Sequence, residues 1–230
     1  MKILITGGHV TPALAVIEEL KKHPTVEIVF VGRKYIDIKN KTLSFEYRAI
    51  TDEKIPFIHL ETGRFTRLFL LTSFLNLLLI HLGLVRSFHI LQKQKPDVIL
   101  SYGGYIAFPI ALGSLLLRIP IFTHEQTLSP GIANRAISFL AKKTFISFPE
   151  TMRFFDKKKT VITGNPLRNS IFKVNKKPFS IEKTKSVIYI TGGSLGSHSI
   201  NHIIEEILPE LLKKYTIIHQ TGNIKEYGDF

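Results

Sequence analysis

The amino-acid sequence contains no cysteine, and only 18 of its 230 residues are acidic. Without cysteine the chain can form neither disulfides nor thiolate metal sites, which excludes disulfide-stapled secreted domains and fits a cytosolic protein. H-E-x-x-H, D-x-D and closely spaced histidine patterns are also absent, so a metal-dependent mechanism is disfavoured and no metal ligands are assigned. Because there is no G-x-S-x-G elbow, a serine nucleophile is disfavoured as well.

The scarcity of acidic residues leaves the 31 lysines and arginines in excess, and the formal net charge is +13. A charge of this size indicates a polyanionic partner: a nucleic acid, an anionic membrane surface or a phosphorylated substrate. A basic surface that serves only solubility is the alternative. Nucleic-acid binding is disfavoured, because the basic residues show neither an aromatic-interleaved strand nor a recognition helix.

One long apolar segment, LFLLTSFLNLLLIHLGLV at residues 68–85, lies between arginines. Its length just reaches that of a membrane span, but polar residues interrupt it and one α/β pattern continues on both sides. Three interpretations stay open: a patch that binds a membrane surface, a pair of buried core helices, and a true span. The candidate patch residues are Arg67, Phe69, Leu70, Phe74, Leu78 and Arg86.

Short β-branched runs alternate with longer helical periods, which predicts a doubly wound parallel sheet. The predicted strands are Lys2–Thr6, Glu27–Val31, Val98–Ser101, Ile119–Thr123, Thr144–Ile146 and Thr160–Thr163. The predicted helices are Pro12–Lys22, a long helix around Leu68–Gln94, Tyr105–Leu117 and Ile132–Ala141. A second strand, glycine turn and helix begin at Val187, after a lysine-rich connector, and indicate a second Rossmann-like unit.

Two glycine turns follow predicted strands. In ITGGSLGSHSIN the glycines, with Gly193 among them, leave backbone N–H groups and the Ser194 hydroxyl free to face an anion such as a diphosphate. A tight turn without a ligand is the alternative. The first turn, TGGHVTP, lacks the G-x-G-x-x-G pattern of dinucleotide sites.

In that first turn His9 stands where a helix begins, and a neutral imidazole at this position could accept a proton or bind a phosphate. Capping or packing is the other interpretation. Gly103, Gly104 and Tyr105 follow another strand, and His124, Glu125 and Gln126 end a third, so all of them are expected at the same edge of the sheet. Arg168 in TGNPLR could offer its guanidinium to a phosphate. The alternatives are simple helix packing for Gly103–Tyr105, a structural hydrogen-bond network for His124–Gln126, and an ordinary surface arginine for Arg168.

The motifs TGGHVTPALAV, SYGGYIAFP, HEQ with PGIANR, TGNPLR and TGGSLGSHSIN together resemble the MurG family, in order and in spacing. Members of that family are membrane-associated, inverting and metal-independent transferases that convert lipid I to lipid II. The resemblance implies a GT-B fold of two Rossmann-like domains, with the acceptor lipid on the first and UDP-N-acetylglucosamine mainly on the second. It implies no cofactor beyond this donor substrate.

By the same resemblance His9 is the candidate general base, with Glu125 able to exchange roles with it through a water. Thr127 stands where the family often has a donor-contacting asparagine. The implied donor and phosphate ligands are Thr6, Gly7, Gly8, Arg168, Ser194, Gly193 and Thr127. The implied acceptor cleft contains Gly103, Gly104, Tyr105 and Gln126.

We therefore expect an acceptor and membrane domain at residues 1–168, a connector at 169–186 and the start of a donor domain at 187–230, with the second domain incomplete. The expected activity is transfer of N-acetylglucosamine to lipid I by a peripheral enzyme on the cytoplasmic face of the membrane. Two alternatives stay open: a GT-B transferase that acts on another lipid-linked acceptor, and an inactive membrane-binding module.

Overall fold

The computed structural model describes residues 1–37, 41–63, 73–173, 181, 184–193 and 196–222. The chain divides into two compact units, Met1–Lys173 and Val174–Phe230. In the described residues, the first unit contains a parallel sheet of seven strands, and the second contains a parallel pair of strands with one helix.

Seven strands of the first unit pair in parallel in the order β5-β2-β1-β6-β7-β8-β9. Two short strands, β3 (Tyr35–Asp37) and β4 (Thr42–Leu43), form a separate antiparallel hairpin. The seven strands are β1 (Lys2–Thr6), β2 (Glu27–Gly32), β5 (Phe57–His59), β6 (Val98–Ser101), β7 (Ile121–Glu125), β8 (Lys143–Ile146) and β9 (Thr160–Ile162). From β1 the chain first adds strands on one side and then returns to add β6 on the other. The carboxyl ends of β1 and β6 therefore form the topological switch point, where open α/β sheets bind ligands.

Within the described part of the first unit, five α-helices accompany this sheet: α1 (Val10–Leu20), α2 (Phe45–Asp52), α3 (Ser73–Gln94), α4 (Ala107–Leu116) and α5 (Ile132–Leu140). Successive strand residues point to opposite faces, so β1 contributes to two cores. Ile3 and Ile5 belong to the core that contains residues of α1 and α2. Leu4 belongs to the core that contains residues of α3, α4 and α5. Burial on both faces explains why the middle of β1, from Ile3 to Ile5, is an unbroken apolar run instead of an alternating one.

Two 3-10 turns, Pro149–Phe154 and Asn169–Ile171, lie in the last part of the first unit. In the second unit β10 (Ser186–Thr191) pairs in parallel with β11 (Tyr215–Gln220), and α6 (His198–Lys214) connects them. The Ser197 hydroxyl caps α6 by accepting a hydrogen bond from the Ile200 N–H at 3.4 Å. This strand, glycine turn, helix and strand confirm the predicted Rossmann-like start of a second unit.

The predicted α/β class and parallel sheet are confirmed, and the corrections concern individual elements. Strand β7 is Ile121–Glu125 instead of Ile119–Thr123, because His124 and Glu125 pair with β8 while Pro120 has no N–H to donate. The sequence pattern gives no indication of α2 or β5. The helix α2 has a single fully buried apolar residue, Ile50, so its apolar periodicity is weak.

The long helix predicted around Leu68–Gln94 is described from Ser73 onward, and residues 64–72 lie outside the described part. Among the helices that the structure describes, none is long and apolar enough to cross a membrane.

Candidate functional site

The loops that follow β1 and β6 meet at the switch point of the sheet. The Gly8 N–H donates to the Gly103 carbonyl at 3.1 Å, and the Tyr102 N–H donates to the Thr6 carbonyl at 2.7 Å. Two predicted motifs, TGGH and SYGGY, are thus joined by backbone hydrogen bonds at one edge of the sheet.

Gly7 makes this contact possible. Its φ is +143°, and a Cβ at this position would lie 2.8 Å from the backbone carbon of Tyr102. Gly104 has a φ of +83°, and its Cβ would lie 3.2 Å from the Gly8 nitrogen. The two glycines therefore allow two backbones to approach more closely than side chains would permit.

His9 precedes α1 and is exposed. Its Nδ1 lies 3.2 Å from the Tyr102 carbonyl oxygen. Because a carbonyl oxygen can only accept, this contact assigns the proton of neutral His9 to Nδ1 and leaves the lone pair on Nε2. The imidazole is thereby held in the tautomer in which Nε2 can take a proton.

Glu125, at the end of β7, is only 3% exposed. Its Oε1 accepts hydrogen bonds from the Thr127 N–H at 2.9 Å and from the Thr127 hydroxyl at 2.7 Å. Its Oε2 accepts a hydrogen bond from the Asn134 amide at 2.8 Å. Three donors compensate the burial of the carboxylate and fix its orientation.

His124, the residue before Glu125, is also buried. Its Nε2 contacts the Gly164 carbonyl at 3.2 Å, and its ring lies 5.8 Å from that of Tyr102. Burial lowers the pKa of His124, the nearby charge of Glu125 opposes this shift, and His9 adds to it. His124 is therefore the neutral neighbour of His9 beneath the cleft.

A cleft of about 660 Å³ opens above these loops. His9, Glu125, Thr127 and Asn134 contribute polar groups to its lining. The remaining lining residues are Thr62, Gly63, Gly103, Gly104, Tyr105, Phe108, Pro109, Ser129, Gly131, Ile132, Ala133 and Ala136. Its volume lies in the range of small-molecule sites.

Six of the predicted site residues line this cleft, and Gly7 and Gly8 do not: the six are His9, Gly103, Gly104, Tyr105, Glu125 and Thr127. Thr6 lies below it, fully buried, and its hydroxyl has no partner among the described residues. Gln126 is half-buried and does not belong to the lining. Arg168 is exposed and precedes the 3-10 turn Asn169–Ile171.

In the second unit Gly193 has a φ of +85°, and its N–H donates to the Thr191 hydroxyl at 3.2 Å. The Gln220 amide donates to the Gly193 carbonyl at 3.1 Å. This turn therefore has the left-handed backbone that its glycine predicts. Ser194 lies outside the described residues.

The predicted membrane patch is described only in part. Arg67, Phe69 and Leu70 lie outside the described residues, and of Phe74 and Leu78 only the backbone within α3 is described. Arg86 forms an ion pair with Glu61 at 3.0 Å.

Beside Arg86, α3 and α4 form an apolar groove of about 510 Å³ that the sequence pattern does not indicate. Leu115 and Leu116, at the end of α4, are 58% and 73% exposed. The other lining residues are Leu84, Val85, Phe88, Leu112 and Gly113. An apolar surface of this kind, beside a basic residue, is a candidate interaction site.

Sequence patterns alone do not identify Asn134, Tyr102 and Thr62 as parts of the site. Asn134 lies in the PGIANR motif, ten residues from His124 and nine from Glu125, and reaches both only when α5 packs beside β7. The contribution of Tyr102 is a backbone carbonyl, for which side-chain patterns give no signal. Thr62 follows β5, a strand that the patterns do not indicate.

Comparison with known proteins identifies relatives of this chain. Residues 6–146 match the model of the glycosyltransferase family 28 N-terminal domain. The chain is 36% identical over 229 residues to a Bacillus cereus protein named UDP-N-acetylglucosamine--N-acetylmuramyl-(pentapeptide) pyrophosphoryl-undecaprenol N-acetylglucosamine transferase 2. It is 37% identical over 229 residues to a Clostridium perfringens transferase of the same name without the number. Both alignments cover 96% of this chain and 62% of the relative.

Among solved structures, the MurG of Acinetobacter baumannii superimposes with a TM-score of 0.63 and 26% sequence identity. The superposition covers 99% of this chain and 60% of that structure. It confirms the predicted resemblance to the MurG family and the GT-B fold class. The chain spans 62% of the length of the curated relatives that it matches.

Proposed function

Because this chain belongs to the glycosyltransferase family 28, we propose that it provides the acceptor-binding part of an N-acetylglucosamine transferase. The donor is UDP-N-acetylglucosamine, and the acceptor is an N-acetylmuramyl-(pentapeptide) pyrophosphoryl-undecaprenol, as in the names of the Bacillus and Clostridium relatives. The observation that carries this proposal is the contact between His9 Nδ1 and the Tyr102 carbonyl, which makes Nε2 the basic nitrogen at the cleft.

In the proposed reaction the acceptor hydroxyl donates its proton to Nε2 of His9 while its oxygen attacks the anomeric carbon of the donor. The bond from that carbon to the UDP oxygen breaks, and UDP leaves with the bonding electrons. Attack opposite the leaving group inverts the anomeric configuration. Positioned general bases of this kind contribute about 10²- to 10⁴-fold to the rate.

Glu125 supports this reaction as a fixed acceptor of hydrogen bonds in our proposal. A carboxylate has about four lone-pair sites, and Thr127 and Asn134 use three of them. The remaining site on Oε2 can accept one hydrogen bond from a hydroxyl or amide of the acceptor. We assign Glu125 no direct role in proton transfer, because its carboxylate is buried and already accepts three hydrogen bonds.

The acceptor's diphosphate is assigned to the switch-point edge of the sheet. Helix α1 begins next to His9, and the first residues of α4 and α5 line the cleft. Backbone N–H groups at helix starts favour anions, and the open space at the exposed Gly8 gives a phosphate access to the start of α1. We assign the donor's diphosphate to the glycine turn of the second unit, which contains Gly193. Arg168 stays a predicted phosphate ligand of the first unit.

Membrane association is the further part of this proposal. Val85, Leu115 and Leu116 are more than half exposed on α3 and α4, and the chain carries a net charge of +13. An apolar surface on a basic protein binds anionic lipid by burying its side chains while lysines and arginines contact the headgroups. We therefore place the protein peripherally on the cytoplasmic face of the membrane, where a polyprenyl acceptor is accessible.

The proposal is tested by transfer of labelled N-acetylglucosamine to a short-chain analogue of the acceptor, in the presence of EDTA. The protein is this chain joined to the remaining carboxyl-terminal part of the Clostridium perfringens relative, and the control carries His9→Gln. We expect metal-independent transfer by the parent and a large loss in the variant. If the enzyme transferred the sugar only to another polyprenyl diphosphate, that lipid would be the acceptor and the acceptor proposed here would be wrong. No transfer with vesicle binding intact would favour a non-catalytic membrane module.

A further inference from the structure

Asn134 lies in the first turn of α5 and is 4% exposed. Its Nδ2 donates to the His124 carbonyl at 3.1 Å and to Oε2 of Glu125 at 2.8 Å. Its Oδ1 accepts a hydrogen bond from the Thr123 hydroxyl at 2.7 Å. One amide therefore contacts three consecutive residues of β7, and each of its polar atoms is used.

The same amide supports the loop that follows β6. Gly103 has a φ of +70°, and a Cβ at that position would lie 3.0 Å from both Cγ and Nδ2 of Asn134. The Gly103 carbonyl accepts the Gly8 N–H, and the preceding Tyr102 carbonyl accepts Nδ1–H of His9. Asn134 thus fills the space beside the Gly103 Cα, and the residue before Gly103 supplies the carbonyl that contacts the imidazole.

We propose that Asn134 is a positioning residue of the transferase, which holds the Glu125 carboxylate and, through the Tyr102–Gly103 backbone, the His9 tautomer. The proposal deepens the proposed function and depends on it, because it concerns the residues assigned there to the acceptor site. Asn134 acts through other groups, so it is distinguished from the base and from the groups that bind substrate.

The amide chemistry of Asn134 is essential to this role. An alanine would leave Oε2 of Glu125 without its described donor and would open space beneath Gly103. An aspartate would keep the shape and the acceptor for Thr123, but it would place a second carboxylate 2.8 Å from that of Glu125. Both changes remove the amide donors, and only the alanine removes the volume.

The test measures the tautomer of His9 in this 230-residue chain, and therefore requires no substrate and no activity. Two-bond proton–nitrogen correlation spectra of the imidazole rings distinguish Nδ1–H from Nε2–H, and His9→Gln assigns the His9 signals. The samples are the parent, Asn134→Ala, Asn134→Asp and the control Ser138→Ala. The control removes a buried hydroxyl from the same helix, where it donates to the Arg135 carbonyl at 2.6 Å.

We expect Nδ1–H in the parent and in Ser138→Ala, and a shift toward Nε2–H of about fivefold in both Asn134 variants. That factor corresponds to the loss of one hydrogen bond of ordinary net strength, about 1 kcal/mol. Folded Asn134 variants with the parent tautomer would refute the positioning role and leave the proposed function intact. If both Asn134 variants were unfolded, the positioning role would be overturned as well, because Asn134 would then be needed for the stability of the fold. A parent without Nδ1–H would overturn the assignment of His9 itself.

Discussion

Gly7→Ala tests the close approach of two loop backbones that places His9 in the cleft. The new Cβ would lie 2.8 to 2.9 Å from three atoms of Tyr102, two of which belong to its backbone. A backbone cannot rotate away as a flexible side chain would, so the loop after β6 has to move by several tenths of an ångström. The adjacent Gly8→Ala is the matched control, since no atom lies within 4 Å of a Cβ at that position.

Two terms determine the size of the effect. The φ of Gly7, +143°, is a conformation that alanine adopts with a strain of about 1 to 3 kcal/mol. Steric overlap with Tyr102 adds an overpacking cost of about 1 to 3 kcal/mol. Because one backbone shift relieves part of both terms, we expect the free energy of unfolding to fall by about 2 to 4 kcal/mol. Gly8→Ala, which lacks both problems, should stay within about 0.5 kcal/mol of the parent.

The assay is urea unfolding followed by NMR signals of residues in the first unit, because the two units need not unfold together. The same samples report whether His9 keeps the Nδ1–H tautomer, which a displaced Tyr102 carbonyl would no longer favour. Equal stabilities for Gly7→Ala and Gly8→Ala would refute the argument that a backbone contact at Gly7 holds the two loops together.

Three further predictions concern the reaction, pH and the membrane. In the fusion of this chain with the carboxyl-terminal part of the Clostridium perfringens relative, His9→Gln should lower the rate of sugar transfer about 10²- to 10⁴-fold and leave UDP binding, measured by calorimetry, unchanged. An undiminished rate would exclude His9 as the base. Burial raises the pKa of the Glu46 carboxyl from 4.5 to about 8. Between these pH values the folded protein therefore keeps a proton on Glu46 that the unfolded chain has lost, so the free energy of unfolding decreases as the pH rises. Glu46→Gln, which keeps an acceptor for the Arg33 N–H, should therefore gain stability relative to the parent between pH 5 and pH 9 in urea titrations; a constant difference would contradict this. Leu116→Glu should lower the fraction of protein that sediments with anionic vesicles several-fold. The control Leu212→Glu, at a leucine 48% exposed on α6, should leave that fraction unchanged. Equal losses of binding in both variants would argue against the α3–α4 groove as the lipid contact.

The sequence predicted features that depend on local chemistry and on the order of elements. A glycine turn after a buried apolar run indicates a strand-to-helix junction wherever it occurs, so TGGH, SYGGY and TGGSLG could be placed on junctions. The rule that parallel strands bind ligands at their carboxyl ends then brings His9, Gly104 and Glu125 to one edge. Strand β7 shows the limit of this approach, because His124 and Glu125 belong to the strand through pairing with β8, which composition does not indicate.

The residue types at the junctions follow from the sequence: glycines where backbones must come close, and a histidine at the start of a helix. Which nitrogen of His9 carries the proton depends on the tertiary fold, because the partner of Nδ1 is the carbonyl of Tyr102, 93 residues away along the chain. Every residue has such a carbonyl, so no side-chain pattern can mark this one. The same holds for Glu125, whose carboxylate is engaged because α5 places the Asn134 amide 2.8 Å from it. Local patterns arise from short-range backbone preferences, whereas proton positions and engaged lone pairs depend on groups that packing alone brings together.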